Sequence, residues 1–251
     1  MSRQFSVFAA LLLISLVLLA SPAASQQNNC ADCHFANPTA PARGHLEAWD
    51  RSAHSRNNVG CEKCHGGDAK TFESLPAHRG ILNSANPASP VNQRNLPVTC
   101  GVCHAGPFVA FQKSDHFTLL KTGDVRVPVC TTCHGAVGGE RPSPRTLEAE
   151  CRQCHGPKGI ARRPEHAEAA RTLYEGINEA RELLNAAKPL ITHIGDKTRR
   201  AQLEAMYQQA EVPLTQAVHA GHEFVYDDLK ERLLTARRRI EALLGQLANP
   251  K

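Results

Sequence analysis

Aromatic residues are scarce: Phe, Trp and Tyr together make up 5% of 251 residues, with a single tryptophan and three tyrosines. Large rings therefore cannot dominate a core, although the apolar fraction is an ordinary 41%. Long hydrophobic runs are absent after residue 20. Nothing beyond that point could span a bilayer, which takes roughly 20 consecutive apolar residues. Also missing is any cysteine outside one pattern. Ten cysteines are many for a chain of this length, so their use must be explained first.

The one apolar run lies near the start. Arg3 gives a positive beginning, Phe8 to Ala20 is apolar, and Ser21, Pro22, Ala23, Ala24 and Ser25 are the small residues a signal peptidase prefers. The run is short for a membrane span. Residues 1–25 are expected to be a secretory signal peptide, with the mature chain starting near Gln26. The expected location is the periplasm or another exported compartment. An uncleaved N-terminal anchor is the alternative, and only then would the protein be membrane-attached.

The cysteines form five copies of C-x-x-C-H: Cys30-Ala-Asp-Cys33-His34, Cys61-Glu-Lys-Cys64-His65, Cys100-Gly-Val-Cys103-His104, Cys130-Thr-Thr-Cys133-His134 and Cys151-Arg-Gln-Cys154-His155. An exported protein with an even cysteine count first suggests disulfides. A disulfide framework does not demand histidine after every second cysteine. With about one residue in twenty a histidine, five of five by chance is on the order of one in millions. Zinc takes C-x-x-C units in pairs, and five units cannot pair evenly. The motif reads as covalent attachment of haem c. Two thiols add to two vinyl groups of one porphyrin, and the adjacent histidine lies under the iron. Five haem c groups are expected, with His34, His65, His104, His134 and His155 as proximal ligands.

That count changes the charge reading. The formal charge is +5. Each haem adds two propionates and each ferric iron returns one positive charge. The mature holoprotein is then roughly −1 oxidised and roughly −6 reduced. The apparent basicity does not argue for nucleic acid.

The five motifs leave only about 25 residues per haem, too few to build an ordinary core around each. The porphyrins must themselves form the core. Loop signals fill the stretch: "FANPTAPARG", "NSANPASPVNQRN" and "HGAVGGERPSP". A short element also recurs. Ala48-Trp49-Asp50-Arg51-Ser52-Ala53-His54 and Ala110-Phe111-Gln112-Lys113-Ser114-Asp115-His116 both read Ala-aromatic-x-x-Ser-x-His.

From Pro164 the composition turns to Ala, Leu, Glu and Arg. One apolar stripe runs Ala170, Leu173, Ile177, Ala180, Leu184, Ala187, and another Tyr226, Leu229, Leu233, Ala236, Ile240, Leu243, Leu247. A shorter helix is expected over residues 198–209, closed by Pro213. The fold class is therefore mainly α with extensive irregular loops: a haem-stacked multihaem cytochrome c core plus a C-terminal helical bundle. The expected domains are residues 26–160 for the five haems and 161–251 for the helical tail packing on them.

Eight histidines remain for the distal sides of the irons. His54 and His116 share the repeated element, in which the serine can orient the imidazole. His78 lies alone between motifs two and three. His166 and His222 continue the two helical stripes toward one end of the bundle. These five are the distal candidates. His219, one turn before His222, is its rival, and His45 competes with His54 or His78. His193 falls in a loop at the far end and is assigned a structural or solvated place.

The repeated motifs, the aromatic-x-x-Ser-x-His element and the helical tail with a late histidine resemble multihaem cytochromes c. The resemblance is to the group that includes tetrahaem electron carriers of ammonia oxidisers, cytochrome c nitrite reductase and hydroxylamine oxidoreductase. It implies haem pairs stacked in parallel or met at an edge. One departure matters: pentahaem nitrite reductases usually carry lysine in place of one proximal histidine, and here all five are histidine. The expected function is electron transfer between a quinol-side donor and a periplasmic or surface acceptor, without catalysis. The alternative is a reductase or oxidase of a small nitrogen or sulfur oxyanion, which needs one open iron. The tail could dock an oligomer or a larger complex.

Overall fold

The computed structural model describes residues 28–39 and 43–249. The expected signal segment, residues 1–25, lies outside them. Two compact units divide between Ile81 and Leu82. The described residues are mainly helical, with no strand among them.

The first unit is built from short helices: α1 Asn29–Ala36, α2 Arg43–Asp50, α3 Ala53–Arg56, α4 Glu62–His65 and α5 Ser74–Ala77. Few apolar side chains are buried here, chiefly Ala31 and Leu46. Polar links hold the turns instead. The Asn28 side chain accepts from Ala31 N–H at 3.2 Å and caps α1. Asn29 N–H donates to the Ala69 carbonyl at 3.2 Å. Trp49 Nε1 donates to the Val59 carbonyl at 2.9 Å.

The second unit begins with α6 Leu96–Gly101, α7 Ala105–Phe111, α8 Asp115–Lys121, α9 Cys130–His134 and α10 Pro144–His155. A small apolar cluster of Leu120, Val127 and Val129, with Leu96 and Phe117 against it, joins the approach to α6 with the approach to α9. Gln93 Nε2 reinforces the join by donating to the Val125 carbonyl at 2.6 Å.

Three long helices complete this unit: α11 Pro164–Thr192, α12 Lys197–Glu223 and α13 Tyr226–Ala248. Both apolar stripes face inward. Ala180, Ala187, Ala210, Ala217, Ala236, Ile240 and Leu243 are fully covered at 0% exposure, so small and branched residues interdigitate at three- and four-residue steps. Gly176 lets α11 and α13 approach closely. A Cβ there would lie 2.8 Å from Leu233 Cδ2. Arg199 near the start of α12 donates to the Gln246 carbonyl near the end of α13 at 3.1 Å, so these two run antiparallel. The α11–α13 pair is parallel: Gly176 meets Leu233, and Glu179 meets Arg237 one turn on.

The middle helix departs from the sequence expectation. It does not stop before Pro213 but runs through it to Glu223. A proline has no N–H, so the Gln209 carbonyl loses its helical donor. Arg239 from α13 supplies the replacement, Nη1 donating to that carbonyl at 2.6 Å. His219 and His222 consequently belong to the last turns of α12, not to the start of the final helix. Because α12 runs back along α11, His222 and His166 still lie toward the same end of the bundle. No helix among the described residues is long and apolar enough to cross a membrane.

Candidate haem attachment sites

The first and fifth motifs lie in helices α1 and α10, the second and fourth each form a single helical turn, and the third runs off the end of α6. After the second and fourth motifs a glycine turns the chain away. Gly66 and Gly135, immediately after His65 and His134, take φ of 76° and 77°, the left-handed region in which glycine ends a helix without strain. All ten cysteines are free thiols, so the disulfide alternative is not adopted. Burial pushes the Cys61 and Cys133 thiols up to about 11. Thiolates, not thiols, bind zinc. No group of three or more His, Cys, Asp or Glu among the described residues has the geometry of a metal site.

What the fold does assemble is pairs of imidazoles. An iron held between two histidines needs two metal–nitrogen bonds of about 2 Å each, which with the ring radii puts the ring centres about 6 Å apart. His34 and His78 stand 6.0 Å apart, with planes 28° from parallel. His65 and His45 are 5.8 Å apart and crossed at 87°. His134 and His222 are 6.2 Å apart with ring planes nearly parallel, at 9°. His155 has two neighbours, His166 at 5.4 Å and His116 at 6.0 Å.

The second ring nitrogens fit the same reading. A ligating histidine ordinarily donates its other N–H to a carbonyl, which fixes the tautomer. Nδ1 of His78 lies 2.8 Å from the Ser74 carbonyl, His134 Nδ1 2.8 Å from that of Glu140, and His222 Nδ1 2.8 Å from that of Val218. In each case Nε2 is left for a metal. His193 makes the same bond, to Pro189 at 2.6 Å, but is exposed beyond α11 as expected. His78, His134 and His222 differ from His193 in that each also faces a second imidazole. Burial also pushes the pKa values of His65, His116, His155 and His222 down, and a neighbouring histidine lowers each further. This favours the neutral imidazole, the form that ligates.

The repeated serine caps a helix in both copies. Ser52 and Ser114 are buried. Ser52 Oγ donates to the Trp49 carbonyl at 2.6 Å and accepts from Ser55 N–H at 3.3 Å. Ser114 Oγ does the same with the Phe111 carbonyl at 2.7 Å and Phe117 N–H at 3.1 Å. His54 and His116 thus occupy the same position, second in the capped helix. The repeat is one of structure as well as sequence.

His219 packs against the helix after the third motif. A Cβ on Gly106 would lie 2.9 Å from His219 Nε2. The two elements line a cavity of about 400 Å³ with Val109, Lys113 and Glu223. Lys113 and Glu223 pair at 2.7 Å, so the cavity's positive charge is already compensated.

Two family models match parts of the chain. Cytochrome c7 and related cytochrome c covers residues 86–156, and cytochrome c554 and c-prime covers residues 17–66. The chain is also similar to the C-type polyheme cytochrome OmcC of Geobacter sulfurreducens, 26% identical over 164 residues. That stretch is 55% of this chain but 20% of the relative, so the chain spans about a fifth of that protein's length. No solved structure matches. These likenesses support a multihaem c-type cytochrome.

A multihaem cytochrome also accounts for the uncovered apolar side chains around the motifs. Phe72, Leu75, Val98, Val102 and Val109 are each more than half exposed, an arrangement that a soluble surface rarely tolerates in quantity without a binding partner. Val102 lies inside the third motif and Leu75 one turn from His78. Porphyrin faces would cover such residues. The residues present therefore fit haem c. The cysteines would supply the thioether sulfurs, and the paired histidines would supply the iron ligands. His45, a weaker candidate from the sequence, stands beside His65. Its partner, His65, is distant in sequence, and no periodic signal connects the two.

Proposed function

We propose that this chain is an exported electron carrier holding five haem c groups, one on each C-x-x-C-H motif. The observation that carries the reading is the pairing of imidazoles: four of the five motif histidines face a second histidine at the separation an iron requires. Haem iron cycles between ferric and ferrous by one electron, and two histidine ligands close it to other chemistry. Under this reading His78 closes the first motif, His45 the second, His222 the fourth, and His166 or His116 the fifth. The third motif draws its ligand from His116 or His219, and His54 stands as a further distal candidate. Residues 26–160 hold the haems, the signal is removed near Gln26, and the tail offers a docking surface. A quinol-side donor and a periplasmic or surface acceptor are the expected partners. The narrower kinship with tetrahaem carriers, nitrite reductase and hydroxylamine oxidoreductase rests on the motifs and on the helical tail.

The oxyanion reductase alternative would need an open iron, and the cavity beside the third motif is its best location. Pyridine haemochrome analysis with intact mass should give five haems per chain. Electron paramagnetic resonance of the oxidised protein should show low-spin haem alone. A high-spin ferric signal that changes on adding nitrite or hydroxylamine would overturn the carrier reading.

A further inference from the structure

The attachment sites within each unit are not equally spaced, and their contacts give an order. In the first unit Cys30 and Cys61 are close neighbours, each motif contributing its first cysteine. The second unit has three motifs, and the fourth touches both others. Cys100 and Cys130 are close neighbours, first cysteine to first cysteine. On the other side of the same motif, Cys133 neighbours Cys151.

Backbone packing shows the same arrangement without reference to the thiols. Helix α9, which is the fourth motif, packs on α6 of the third motif and on α10 of the fifth, whereas α6 and α10 do not pack extensively on each other. Local interactions enforce both contacts. The cluster of Leu120, Val127 and Val129 with Leu96 seats the start of α9 against the start of α6. The turn after the fourth motif, with Gly135 and Gly138 at φ of 77° and 64°, doubles the chain back. His134 Nδ1 meets the Glu140 carbonyl at 2.8 Å, which fixes that return and leads into α10.

We infer that the fourth motif is the central site of the second unit: the group bound through Cys130 and Cys133 is the immediate neighbour of those bound at the third and fifth motifs, which are not neighbours of each other. The inference rests on haem occupying these motifs, as proposed above. Both thiols of a motif join one edge of its porphyrin. Contacts between cysteines of different motifs therefore bring those edges together, third to fourth and fourth to fifth. An order of neighbouring sites is also an order for electrons, and it makes the fourth site the one whose charge state both others feel.

Two measurements on the full holoprotein test this. In the fully reduced, diamagnetic protein, nuclear Overhauser contacts between thioether methyl protons should join the third haem to the fourth and the fourth to the fifth. A contact joining the third directly to the fifth, with either missing its contact to the fourth, would overturn the order. The second test changes one site and reads the others. His222→Met, facing the fourth motif, should raise that site's midpoint potential, since methionine ligation favours the ferrous state. That site then fills first, and its added negative charge should lower the midpoints of both the third and the fifth. His166→Met or His116→Met, whichever raises the fifth midpoint, should move the fourth and leave the third within error. Equal movement of third and fourth would overturn the inference while leaving the haem reading intact. A haem count below five in the unaltered protein would instead sink the haem reading.

Discussion

Residues 164–249 and residues 28–156 contrast in how they exclude water. The three long helices α11–α13 bury a continuous core of Ile177, Leu184, Leu203, Leu214, Leu233 and Ile240 with alanines between them. The motif segments bury little: outside the bundle the covered apolar residues are chiefly Ala31, Leu46, Ala110, Phe111, Leu120, Val127 and Val129. Meanwhile Leu75 and Val102 remain 87% and 81% exposed. One region closes on itself with side chains at helical periodicity. The other is a set of short capped turns and loops whose apolar surface fits a covering of porphyrin. Stability in the first region is written in the chain, whereas in the second it would come with a bound cofactor.

The largest break between the two should appear when haem is withheld. A chain produced without covalent attachment should lose protection from amide hydrogen exchange across residues 28–156, to nearly unfolded rates. The core of the bundle, from Ile177 to Leu243, should keep slow exchange. Equal protection in both regions would show that the motif segments carry a core of their own. Loss of protection in both would make the bundle, too, dependent on haem.

The converse perturbation acts on the bundle alone. Leu243 is completely buried among α11–α13. Leu243→Ala should destabilise the bundle by about 2–5 kcal/mol, transfer and cavity costs together. Urea unfolding followed by circular dichroism would read the loss. In native buffer the variant should still bind its full complement of haem, with an unchanged Soret spectrum. A missing haem in the folded variant would mean that bundle packing and haem sites are one cooperative structure.

The same contrast decides what could be read from the amino acids. The stripes from Ala170 to Ala187 and from Leu229 to Leu243 were legible because a helix repeats its burial every three or four residues, and the structure buries most of those positions. The motifs were legible because attachment chemistry is local, five residues long, and indifferent to the rest of the fold. The middle helix was misjudged at Pro213, since the remedy for its missing N–H comes from Arg239 on another helix. A local rule cannot see a donor that arrives through tertiary packing. His45 shows the same limit. The repeated element favoured His54, but it is His45 that stands 5.8 Å from His65, and that pairing depends on how α2 and α4 are set by the loops between them. The serine of the repeat was legible as conserved spacing within the chain, while its task as a cap became clear only from the carbonyl and N–H it meets.

The smallest expected effect lies where the two regions touch within the second unit. Arg171 of α11 reaches Glu148 of α10 at 3.2 Å and Glu175 on its own helix at 2.9 Å. Arg152 holds the same Glu148 at 2.6 Å. Hydrogen bonds from Arg152, then Arg171, keep the Glu148 carboxyl below its ordinary range. A depressed carboxylate contributes stability above its unfolded pKa, and the contribution disappears as pH falls through the lower folded value. Exposed pairs are also weakened by salt. Arg171→Ala should therefore lower the thermal midpoint slightly at neutral pH and low ionic strength. The difference from the unaltered protein should vanish in high salt, and again in acid once Glu148 is protonated. A deficit of the same size in salt and acid would show that the Arg171 stem, packed between α10 and α11, joins the two regions through its apolar contacts and not its charge.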